Sequence, residues 1–93
     1  MNFLELLNAV AKVAKPSYVG FTEMVDASVP FKDCGLDSLD MLMISVYMCE
    51  IYGIPEEIGK EMKVSTPAEM YQFIMDNKSQ EPTSVAEAVA SIK

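Results

Sequence analysis

Histidine is absent from the 93 residues of this chain. Its absence removes the most common general base, the Ser-His and Cys-His nucleophile pairs, and most zinc sites. We therefore expect neither an enzyme nor a metal site.

Basic side chains are scarce, with 7 Lys and Arg against 14 Asp and Glu, which gives a formal net charge of −7. This charge disfavours nucleic acid and anionic membranes and favours basic protein partners. The longest apolar stretch, Met41 to Cys49, is interrupted by Ser45. It is far shorter than the roughly 20 residues of a membrane span. We expect a soluble protein.

Cysteine is limited to Cys34 and Cys49. Both have apolar neighbours, and no signal-peptide pattern precedes them. We therefore expect reduced, buried thiols in the cytoplasm rather than a disulfide.

Apolar residues at helical spacing predict a first helix over residues 2–15, capped by Asn2 and ended by Pro16. Its polar face is expected to contain Glu5, Asn8, Lys12 and Lys15. A long connection follows to Leu36, with one short helical turn. Apolar side chains are expected to pin it to the core: Tyr18, Phe21, Met24, Val25, Val29 and Phe31.

The sequence Gly35-Leu36-Asp37-Ser38-Leu39-Asp40 predicts the start of a second helix. Asp37 is a preferred N-cap residue, and Asp40 can complete a capping box. Ser38 would then lie at the positive end of the helix dipole, where a phosphate diester is stabilised. These residues also fit an ordinary helix cap with no attached group.

The second helix, predicted over 38–52, is apolar almost all round. Its four polar residues, Ser38, Asp40, Ser45 and Glu50, do not mark one solvated face. The pattern fits equally well a helix buried in the core and a helix that exposes an apolar face for a partner.

Gly53 ends this helix, and Pro55 begins a short third one expected to reach about Met62. Thr66 and Glu69 predict a capping box for a fourth helix with a buried stripe of Met70, Phe73 and Ile74. Residues 78–84 have the composition of a linker. The remaining residues, to Lys93, favour a disordered tail, with a weak docked helix as the alternative.

An all-α four-helix bundle is therefore expected, with three long helices, one short helix and a long first loop. This arrangement resembles an acyl carrier protein over residues 1–77, with 78–93 as a linker and flexible or weakly helical tail. The motifs that carry the resemblance are Gly35-Leu36-Asp37-Ser38-Leu39, Tyr52-Gly53-Ile54 and Val64-Ser65-Thr66.

The resemblance implies a covalent 4'-phosphopantetheine arm on Ser38, with Asp37 and Leu39 as further cofactor-binding residues. The arm would carry acyl groups as thioesters to the enzymes of a fatty-acid, polyketide or specialised acyl pathway. Implied partners are a phosphopantetheinyl transferase and acyl-transferring or synthase enzymes, and we expect a monomer.

Family members bind partners through the outer face of the second helix. The matching positions here are Leu39, Asp40, Met43, Val46, Tyr47 and Glu50. Met43, Cys49 and Ile51 replace residues that are commonly acidic in the family, which predicts a more hydrophobic partner face. An acyl cavity would be lined by Leu42, Ile44, Met48 and Ile74.

Two other interpretations stay open. The chain could be an unmodified, carrier-like interaction module that binds a protein through the apolar face of the second helix. It could also be a peptidyl carrier, although the Asp-Ser-Leu-Asp motif favours acyl cargo.

Overall fold

The computed structural model describes residues 2–14 and 22–92, and within them the chain forms five α-helices and no strand. The all-α prediction is confirmed, but the structure has one α-helix more than the predicted four. The helices are α1 (Phe3–Ala14), α2 (Ser38–Tyr52), α3 (Glu56–Gly59), α4 (Pro67–Asn77) and α5 (Val85–Ile92), with a 3-10 helix at Phe31–Cys34 before α2.

Helix α1 begins as expected, because the Asn2 carboxamide accepts hydrogen bonds from the N–H groups of Leu4 and Glu5. The prediction that Asn8 faces solvent is wrong. Its side chain is buried and bonds both the N–H and the carbonyl of Met24, at 2.7 and 2.9 Å. Asn8 thereby ties the connection between α1 and α2 to the bundle, satisfying its polar atoms inside the core.

The first connection is pinned by fewer apolar side chains than expected. Met24 and Phe31 are buried and Val29 is partly buried, but Val25 is 83% exposed. Its side chain projects into solvent beside the buried Met24. Tyr18 and Phe21, together with the predicted end of α1 at residues 15–16, lie outside the described residues.

Helix α3 is shorter than predicted. It ends at Gly59, and hydrogen bonds between residues three apart, Glu61 N–H to the Ile58 carbonyl and Met62 N–H to the Gly59 carbonyl, continue the turn. Helix α4 begins with the predicted capping box, in which Thr66 Oγ1 accepts from Glu69 N and Glu69 Oε1 accepts from Thr66 N.

The core lies between α1, α2 and α4. Its side chains without exposed surface are Leu6, Leu7, Val10, Ala11, Ile44, Met48, Met70 and Ile74. An edge-to-face contact between Phe3 and Tyr71, 4.9 Å between ring centroids, joins α1 to α4. No helix within the described residues has the length and apolar content to cross a membrane.

The C-terminal segment forms a helix that packs on the bundle. This is the docked helix that the sequence left as the alternative to a disordered tail. Ser84 caps α5, Ala88 is buried, and the helix contacts α1 and α2. Ahead of it, Ser79 and Gln80 both donate their N–H groups to the Tyr52 carbonyl. The segment therefore closes over the C-terminal end of α2.

Candidate functional site

Ser38 is the first residue of α2 and is exposed. The predicted capping box is present: Asp40 N donates to Asp37 Oδ1 at 2.9 Å, and Asp37 N donates to Asp40 Oδ2 at 3.1 Å. Both carboxylates are thus directed at backbone amides. The box leaves the N–H groups of Ser38 and Leu39, at the positive end of the helix dipole, for another acceptor.

A pocket of about 370 Å³ opens beside Ser38. Phe31 and Leu36, both buried, form part of it, and the partly buried Met41 and Val64 contribute further apolar surface. Its lining residues are Pro30, Phe31, Lys32, Leu36, Asp37, Ser38, Met41, Val64 and Ser65. The motif serine therefore borders an apolar recess rather than a flat surface.

Three segments that are distant in the sequence build this pocket: the 3-10 helix, the start of α2 and the connection between α3 and α4. Phe31 N donates to the Ser65 carbonyl at 2.9 Å, and Ala68 N donates to the Ala27 carbonyl at 2.9 Å. The first bond joins the 3-10 helix to the connection between α3 and α4, and the second joins the segment before the 3-10 helix to the first turn of α4. Backbone hydrogen bonds therefore frame the pocket on this side.

The residues around Ser38 fit a phosphate diester on its hydroxyl group. The hydroxyl is exposed, two backbone N–H groups lie at the helix start, and Lys32 lines the same pocket. The Lys32 side chain forms no ion pair within residues 2–14 and 22–92. No cluster of three or more His, Cys, Asp or Glu side chains in that part of the chain could hold a metal ion.

The expected partner face is only partly exposed. Leu39, Val46 and Glu50 are exposed, whereas Asp40, Met43 and Tyr47 are partly buried. The sequence missed one residue of this face: Leu42, predicted to line an internal cavity, is 59% exposed. With Leu39 at 66% and Val46 at 52%, it forms an apolar stripe along α2, because these residues are spaced by three and four.

Of the four residues expected to line an acyl cavity, only Leu42 lies where an internal lining is contradicted. Ile44, Met48 and Ile74 are fully buried in the core, while Leu42 faces outward.

A groove of about 520 Å³ lies beside the apolar stripe, between α2 and α3. Its lining includes Leu42, Val46, Cys49 and Ile54, with Glu50, Glu56 and Lys60 as charged members. Gly59 permits the close packing of the two helices, since a Cβ there would lie 2.9 Å from Cys49 Sγ.

Two of the three residues expected to make the partner face more hydrophobic are buried and do not add to its exposed surface. Cys49 is buried near Gly59, and Ile51 is buried beside Gln80, Pro82 and Ala88 of the C-terminal segment. The expectation that both cysteines are buried is confirmed, and burial raises the pKa of the Cys34 and Cys49 thiols. Neither thiol has the environment of a reactive nucleophile.

Comparisons of this chain with protein-family models, with curated proteins and with solved structures give no match. The case for a function therefore rests on the residues around Ser38 and on their geometry.

Proposed function

We propose that this chain is an acyl carrier protein that bears a 4'-phosphopantetheine arm on Ser38. The observation that carries the proposal is the placement of Ser38: exposed, first in α2, next to a capping box and at the edge of an apolar pocket. The arm's thiol would hold acyl groups as thioesters and present them to partner enzymes.

The chemistry around Ser38 supports a role as an attachment point. A serine nucleophile needs a neighbouring base to remove its proton, and the sequence has no histidine. The carboxylates closest to Ser38 in the sequence, Asp37 and Asp40, accept hydrogen bonds from backbone amides. On this proposal, the serine hydroxyl is modified by another enzyme, and the chain itself only carries the product.

The proposed partners are a phosphopantetheinyl transferase and acyl-transferring or synthase enzymes. The net charge of −7 favours basic partner surfaces, and the stripe of Leu39, Leu42 and Val46 adds apolar contact area near the arm. We expect these three residues to contribute more to partner binding than the half-buried Met43 and Tyr47.

The test is incubation of the purified chain with coenzyme A and several transferases of differing breadth, followed by intact-mass spectrometry. The expected result is the gain of one phosphopantetheine, abolished by Ser38→Ala. Ser91→Ala is the control, because Ser91 is an exposed serine on α5 that does not line this pocket. Unchanged mass with every transferase, or a mass gain that survives Ser38→Ala, contradicts the proposal.

A second candidate is an unmodified interaction module, favoured by the exposed apolar stripe on α2. It predicts that Leu42→Glu and Val46→Glu abolish binding to a protein partner while Ser38→Ala leaves binding intact. Both leucine and valine side chains are more than half exposed, so these changes leave the core unaltered. This candidate is contradicted if partner binding requires Ser38 and is retained in both Leu42→Glu and Val46→Glu.

A further inference from the structure

We propose that the pocket beside Ser38 seats the pantoyl unit of the arm, so that the arm leaves the serine in a fixed direction while its thiol stays outside the protein. This inference rests on the proposed function. It concerns where the bound arm lies and which side chains hold it.

The attachment point determines what can occupy this pocket. Ser38 is itself one of the lining residues, so a group bonded to its Oγ begins at the edge of the pocket. Binding of the adjoining atoms is then intramolecular, and the local concentration of the arm exceeds that of any free ligand. The natural occupant is therefore the part of the arm nearest the phosphate.

The chemistry of that part matches the apolar side of the pocket. In a phosphopantetheine arm, the phosphate is followed by a pantoyl unit with two geminal methyl groups and one hydroxyl, before the amides and the thiol. The methyl groups would contact Met41 and Val64, whose side chains are only partly buried. Burial of methyl groups is favourable, and a methionine adapts its shape to them.

The polar lining residues suit the remaining groups. Lys32 is exposed and supplies a cation for the phosphodiester, while Ser65 offers a hydroxyl group to the pantoyl hydroxyl or the first amide. Asp37, the acidic residue of the lining, accepts the hydrogen bond of Asp40 N in the capping box. The lining thus has one cation and one carboxylate, and Lys32, which forms no ion pair in the described residues, is the member that can pair with the phosphodiester.

The depth of the pocket limits how much of the arm it can hold. Phe31 and Leu36 have 2% and 3% exposure and pack with the core, whose central side chains are fully buried. The pocket therefore has no open passage into the bundle past these residues. The distal amides and the thioester remain at the surface, where a partner enzyme can reach them.

The test is an isotope-filtered NMR measurement on the full chain after loading. Coenzyme A labelled with carbon-13 in the geminal methyl groups and a transferase provide the labelled arm, and mass spectrometry verifies loading. We expect cross-peaks from the arm methyls to the methyl groups of Met41 and Val64. We also expect methyl shifts that differ from those of free phosphopantetheine because of the Phe31 ring.

Met41→Gln is the test variant and Met43→Gln the matched control, since both methionines are partly buried on α2 but only Met41 lines the pocket. Met41→Gln should weaken the cross-peaks to Val64 at least twofold and move the arm methyl signals toward their free shifts. Met43→Gln should change neither. Dispersed amide spectra show that both variants are folded.

The outcomes separate this inference from the proposed function. A loaded chain whose arm methyls show free shifts and no cross-peaks overturns the inference and leaves the function standing. Cross-peaks to Leu42 or Val46 in place of Val64 also overturn it, because the arm would then lie along α2. Failure to load overturns the function, and this inference with it.

Discussion

Replacement of Gly53 by alanine tests whether the C-terminal segment closes over the end of α2. Gly53 has φ 64° and ψ 36°, in the left-handed region. Ser79 Oγ donates to its carbonyl at 2.5 Å. A Cβ on residue 53 would lie well inside the contact distance of Ser79 Oγ and 3.0 Å from Gln80 Cγ.

Two costs add up in Gly53→Ala. The left-handed conformation costs a residue with a Cβ about 1–2 kcal/mol. Displacement of Ser79 removes a hydrogen bond with a net contribution of about 1 kcal/mol. We therefore expect the free energy of unfolding to fall by about 2–3 kcal/mol and the melting temperature to fall by roughly 10–20 °C for a domain of this size.

The assay is a double-mutant cycle measured by circular dichroism in urea, with wild type, Gly53→Ala, Ser79→Ala and the double variant. Ser79→Ala removes both the clashing oxygen and the hydrogen bond. Gly53→Ala should therefore cost about 1 kcal/mol less in that background. Ser91→Ala is the control, because its hydroxyl bonds the Ala88 carbonyl instead and should show no coupling to residue 53.

Equal costs of Gly53→Ala with and without the Ser79 hydroxyl would refute this reasoning. That result would mean that the segment before α5 does not pack on the end of α2 in solution. The disordered tail favoured by the sequence would then be the better description.

Three further predictions concern helix capping and titration. Thr66→Ala should lower the free energy of unfolding by about 1 kcal/mol in urea denaturation, because it removes the acceptor for Glu69 N. Thr66→Ser keeps a hydroxyl group at this position and should retain most of that stability. Ser28 hydrogen bonds lower the pKa of Asp26, so Ser28→Ala should raise it in an NMR titration; an unchanged pKa contradicts the contact. Burial raises the pKa of the Cys34 and Cys49 thiols, so the unfolded chain loses these protons at a lower pH than the folded chain. The free energy of unfolding should therefore be unaffected below the ordinary thiol pKa and should fall as pH rises above about 8.5. Urea midpoints across that pH range, compared with a double Cys→Ala chain, measure this loss, and identical pH profiles for the two chains would contradict it.

Both ends of α2 could be predicted from the sequence because local chemistry determines them. Asp37 and Asp40 form the capping box at the start of α2, and Gly53 ends that helix with a positive φ. Each of these features depends on residue types within a few positions of one another.

The orientation of α2 could not be predicted in the same way. A helix that is apolar on all sides has no preferred buried face, so residue spacing does not distinguish the exposed Leu42 from the buried Ile44. The neighbours α1, α3 and α5 decide which side is covered.

Contacts between distant residues account for the other differences. Asn8 is polar by type but buried, because its amide bonds Met24, sixteen positions away. The pocket beside Ser38 needs Phe31 and Val64 to meet across the fold. Helix α5 is short, and helices of its length are marginal without packing against other elements.

The mass of the chain after expression with a phosphopantetheinyl transferase tests the central claim most directly. The account predicts the added mass of one phosphopantetheine, which fragmentation locates on Ser38, and an unmodified Ser38→Ala chain from the same host. An unmodified wild-type chain with broad-range transferases, or an arm located on any other residue, would contradict it.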